Sequence, residues 1–90
     1  MSEKVKAKSS QPEDRQREMA RLVGARIREL RIAKGYSSYE DFAYKHDMGT
    51  SQFGRYERGD TFIQLDTLVR VIDALDTNFF EFFNAPVFRG

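Results

Sequence analysis

The chain contains no cysteine. That excludes a disulfide framework and any thiolate metal site, and the single histidine leaves too few soft ligands for zinc. No metal and no cofactor are therefore expected. No stretch approaches the roughly 20 apolar residues of a membrane span, and the opening MSEKVKAKSS lacks the apolar centre of a signal peptide. A cytoplasmic protein is the resulting expectation. Catalytic chemistry is poorly supplied as well. Ser37, Ser38 and Ser51 have no evident base beside them, one histidine with scattered carboxylates assembles nothing, and no glycine-rich loop follows a strand. The chain is read as not being an enzyme.

What is present is one small core's worth of apolar residues. Ninety residues with 40% apolar content bury a single core and leave no room for a second independently stable domain. The net charge of +1 hides an asymmetry. Residues 1–58 hold 13 Lys and Arg against 9 Asp and Glu, whereas residues 59–90 hold 2 against 5. A basic working end and an acidic remainder fit this pattern, as does an ordinary mixed-charge surface.

Residues 1–11 carry Lys4, Lys6 and Lys8 with almost no bulky apolar residue, and are expected to form a flexible basic arm. From Pro12, with Glu13 and Asp14 at a positive dipole end, Met19, Leu22, Val23, Ile27 and Leu30 recur at helical spacing. Gly35 supplies the stop, so a first helix is expected over about 12–34. Ser38 is the preferred cap of a second helix, about 39–46, because it brings Phe42 into the first full turn. Asp47 to Gly49 make a turn, and residues 50–58 make a third helix closed by Gly59. Two short helices joined so tightly cross steeply, which is the helix-turn-helix arrangement.

In the segment GTSQFGRYERG, residues 49–59, Phe53 and Tyr56 share one helical face while Thr50, Ser51, Arg55 and Arg58 lie around the other. The aromatic side is expected to anchor the helix and the polar side to point outward. Gly54 in mid-helix costs about 1 kcal/mol against Ala, and a close approach by another backbone is its expected reason. Further on, Leu65, Leu68, Val69, Ile72 and Leu75 form a fourth stripe. Asn78 with Glu81 caps a last short helix, NFFEFF. The prediction is an all-α chain, five helices around one core.

Four features together carry a family resemblance: the run ARIRELRIAKG, the pair Phe42 and Ala43, the RYERG end of helix 3, and the spacing to LDTLVRVIDAL. Residues from about 23 to 83 resemble the helix-turn-helix domain of the lambda-repressor, Cro and Xre type. The departures are one extra residue between Gly35 and Phe42, His46 in place of an apolar residue, Asp47 in place of the turn glycine, and Asp76 at the end of helix 4. The resemblance implies a compact lambda-repressor-like bundle, with residues 12–84 as the DNA-binding domain and 85–90 as a tail. Helix 3 would enter the major groove of double-stranded DNA.

Thr50, Ser51, Gln52 and Arg55 are then the base-contacting candidates, with Arg55 able to donate two hydrogen bonds to guanine. Ser38, Tyr39, Lys45 and Arg58 are the phosphate-contacting candidates. Arg31 and Glu57 match positions that form a structural ion pair, expected to be partly buried. His46 is expected at the core or its boundary under helix 3.

Phe79, Phe80, Phe82, Phe83 and Phe88 exceed what one small helix hides, which suggests a homodimer through this Phe-rich C-terminal region. The functional expectation is a cytoplasmic, nucleoid-associated transcriptional regulator that acts as a repressor at a near-palindromic operator. The alternative is a protein-interaction module of the same fold, such as an antitoxin or a regulator subunit.

Overall fold

The computed structural model describes residues 12–89; the expectation of a basic arm over residues 1–11 lies outside them. Helix α1 runs Pro12–Ala33, with Glu13 and Asp14 in its first turn and Arg31 in its last. It ends at Gly35, whose φ of 107° is open to glycine and strained for other residues. The Gly35 N–H donates to the Ile32 carbonyl at 2.9 Å and the Tyr36 N–H to the Arg31 carbonyl at 3.1 Å, satisfying carbonyls the helix leaves over.

Helix α2, Tyr39–Lys45, starts at Ser38, whose hydroxyl accepts from the Asp41 N–H at 3.2 Å. The cap is the expected one, and the helix ends one residue earlier than expected. Residues 46–49 lead into α3, Thr50–Arg58, with Asp47 in the left-handed region at φ 59°. Gly59 closes α3 in the left-handed conformation, φ 75°. Helix α4 spans Leu65–Ala74 and α5 spans Phe79–Phe83, the latter capped by the Asn78 Oδ1, which accepts from the Glu81 N–H at 2.9 Å. A 3-10 turn, Pro86–Phe88, follows and packs on α1. The described chain is thus all-α, with five α-helices. None of its described helices is long and apolar enough to cross a membrane.

The core is built from Ile27 of α1, Phe42 of α2, Phe53 of α3, Val71 and Ile72 of α4 and Phe82 of α5, all fully buried. Aromatic rings carry much of it. Phe42 lies 5.3 Å from Phe53 and meets Tyr36 edge-on at 5.1 Å, separations at which ring quadrupoles attract. The His46 ring lies against Phe42, tilted by 45° with centroids 4.4 Å apart, at the boundary of the core, with its Nε2 buried and without a hydrogen-bond partner among the described residues.

Two expected stripes are corrected. Met19 is 51% exposed and Ala20 is buried in its stead. With 22 residues, α1 is about 33 Å long at 1.5 Å per residue and outruns partners of 5 to 10 residues. Its first two turns accordingly project beyond the bundle, residues 13–19 being exposed. On α4, Leu65 is 69% exposed and Val69 is also exposed, whereas Leu68, Val71, Ile72 and Leu75 form the buried face. The true stripe keeps Leu68, Ile72 and Leu75 and gains Val71, so its centre lies about 45° around the helix from the expected one, roughly half a residue step.

Candidate nucleic-acid interface

Helix α3 is held by its inner face. Phe53 and Glu57, one turn apart, are buried there, and the Arg31 guanidinium grips the Glu57 carboxylate with two parallel bonds, Nε to Oε2 at 2.7 Å and Nη2 to Oε1 at 2.9 Å. Side-chain exposures of 4% and 5% make this a fully buried pair, deeper than expected. Arg31 Nη1 also donates to the Tyr36 carbonyl at 2.6 Å, so the guanidinium spans α1, α3 and the segment before α2. The hydrogen bonds that Arg31 donates to the Glu57 carboxylate are the main cause that pushes the Arg31 pKa above its ordinary value, against the opposing effect of burial.

The backbones of α1 and α3 touch at Gly24. A β-carbon there would collide with the carbonyl oxygen of Tyr56 and lie 2.6 Å from that of Glu57. This is the close backbone approach that the sequence suggested for Gly54, and that expectation is corrected. What covers Gly54 is the ring of Tyr39, whose Cε1 and Cζ lie 2.7 and 2.8 Å from the place a β-carbon would take. The only hint of Gly24 in the sequence was a glycine beside Val23 on a buried face.

The outer face of α3 is open. Thr50, Ser51, Gln52 and Arg55 are all exposed, as is Lys45 at the end of α2. Neither Lys45 nor Arg55 forms an ion pair among the described residues. The other candidates are engaged. Besides capping α2, the Ser38 hydroxyl donates to Glu40 Oε1 at 2.9 Å, and Arg58 Nε is 2.8 Å from Asp60 Oδ2. That carboxylate is the main cause of a raised Arg58 pKa. Tyr39 is half-buried over Gly54 rather than projecting freely.

Two depressions border the exposed face of α3. One, about 440 Å³, lies among α1, the start of α2 and α3, and includes Arg28, Ser37, Tyr39, Gly54 and Arg58. The other, about 180 Å³, lies between α3 and α4 and includes Met48, Gln52, Tyr56, Thr67 and Arg70. A third, apolar groove of about 600 Å³ sits away from them and is lined by Met19, Ala20, Val23, Phe62, Ile63 and Phe83.

Models of protein families, curated proteins and solved structures yield no match to this chain.

Proposed function

We propose that the chain is a sequence-specific, double-stranded DNA-binding transcriptional regulator of the lambda-repressor, Cro and Xre kind, a repressor that inserts α3 into the major groove. One observation carries this: four side chains able to touch base edges, Thr50, Ser51, Gln52 and Arg55, stand exposed on a helix whose opposite face is locked by Phe53 and the buried Arg31–Glu57 pair. A helix of 10–12 Å diameter fits a major groove about 12 Å wide. A rigid inner face fixes where the outer side chains lie, and Arg55, with no anionic partner among the described residues, is suited to guanine O6 and N7. Lys45 serves a phosphate on the same ground. The expected setting is the cytoplasm, in association with the nucleoid.

The proposal includes a homodimer. Phe79, Phe80 and Phe83 of α5 are exposed, Phe80 to 72%, and Phe83 also lines the apolar groove with Met19 and Phe62. A twofold dimer through this side presents two copies of α3 about 34 Å apart, one turn of DNA, and so favours a near-palindromic operator. The same apolar surface supports a second reading, a module whose main partner is another protein. Selection of bound duplexes from a random pool separates the two. Enrichment of a palindrome-like site supports the regulator, and a pool that stays random supports the protein-binding module.

A further inference from the structure

The sequence assigned phosphate contact to Ser38, Tyr39, Lys45 and Arg58, yet three of these are committed within the fold. Two other cations border the depressions beside α3. Arg28 and Arg70 are exposed and form no ion pair among the described residues.

Their positions relate them to α3. In the depression beside Arg28, every other charge has a partner. Glu57 is held by Arg31, Glu40 accepts from the Ser38 hydroxyl, and Arg58 is drawn to Asp60. Arg70 borders the second depression, where Asp47 makes no ion pair with it. By helical periodicity Gly54 and Arg58, in the first depression, lie on one flank of the exposed α3 face, with Gln52 and Tyr56, in the second, on the other flank. Arg55 lies between.

We propose that Arg28 of α1 and Arg70 of α4 contact backbone phosphates on the two opposite walls of the groove that α3 enters. The interface then extends beyond α2 and α3 onto the two helices that flank them. This rests on the DNA-binding reading above. A helix in the major groove has one strand's phosphates on each side of it, and a guanidinium without an internal carboxylate meets a phosphate without first breaking an ion pair.

The test is the salt dependence of binding to a duplex selected by the parent chain. Arg28→Gln and Arg70→Gln each lower the slope of log K against log salt by about 0.9, the value for one phosphate contact. They weaken binding to all duplexes alike and leave base preference and thermal melting unchanged. Arg17→Gln, at a cation on the projecting part of α1 that likewise forms no ion pair among the described residues, leaves the slope as it is. An unchanged slope in either flanking variant removes that residue from the interface while DNA binding stands. An equal drop in Arg17→Gln reduces the effect to net charge and overturns the proposal. A parent that binds no duplex overturns the DNA reading and this inference together.

Discussion

A carboxylate taken out of water survives as a charge only if something nearby replaces its hydration, and Glu57 has that in the two bonds from Arg31. Removing the carboxylate strands a buried guanidinium. Glu57→Ala is therefore expected to cost about 3–5 kcal/mol, read as a lowered urea midpoint. A cost below about 1 kcal/mol would mean that the pair is exposed in solution, where such bridges contribute little. Asp76 offers a gentler case. It stands at φ 58°, and its carboxylate is bonded by Lys34, which holds its pKa below the ordinary carboxylate value. Stability from a depressed acid is present above its unfolded pKa of about 3.9 and fades as pH falls through the folded value. Asparagine tolerates the same backbone, so Asp76→Asn is less stable than the parent at pH 7, and the difference closes toward pH 2. A difference that persists unaltered at pH 2 would assign the loss to the backbone instead.

At the scale of helices, the contact between α1 and α3 depends on the absence of a side chain. Gly24→Ala adds helix propensity worth about 1 kcal/mol, yet its methyl meets two backbone carbonyls that cannot swing aside. A net loss of about 1–3 kcal/mol is expected. Gly54→Ala meets only the outer atoms of the half-exposed Tyr39 ring, and thermal melting should separate the two variants, with Gly54→Ala the more stable. The reverse order would contradict this packing.

Helix boundaries were legible because caps are local: Ser38, Asn78, Gly35 and Gly59 act on neighbours within a few residues. Burial was less so. Apolar residues border the α4 stripe, and only the tertiary packing around the shared core decides that Val71 is covered and Val69 is not. Arg26 was unreadable for the same reason. It donates from Nε to the Phe82 carbonyl and from Nη2 to the Glu81 carbonyl, both at 2.7 Å, which ties α5 to α1 across more than fifty residues. The outer face of α3 followed from period alone, whereas the commitment of Ser38 and Arg58 to internal partners did not.

The described residues extend over 51 Å by 25 Å by 22 Å, and the first turns of α1 are exposed. Beside its exposed turns runs the apolar groove that continues through Phe83 to Phe79, whose rings are parallel at 6.3 Å. If this side joins two copies, Phe80→Glu places a charge in the interface. Analytical ultracentrifugation is then expected to find a monomer where the parent is a dimer, with the helical content unchanged. A parent that sediments as a monomer at all concentrations would contradict the dimer.

The central claim is that the exposed face of α3 reads base sequence, with Arg55 at its middle. It is tested most directly by measuring Arg55→Ala and Lys45→Ala against every single-base variant of a selected operator. The expected result is that Arg55→Ala loses discrimination of about 1–3 kcal/mol at one base pair in each half-site. Lys45→Ala keeps the parent's ranking but binds every duplex more weakly and with a shallower salt dependence. Two variants that rank and bind all the duplexes as the parent does would contradict it.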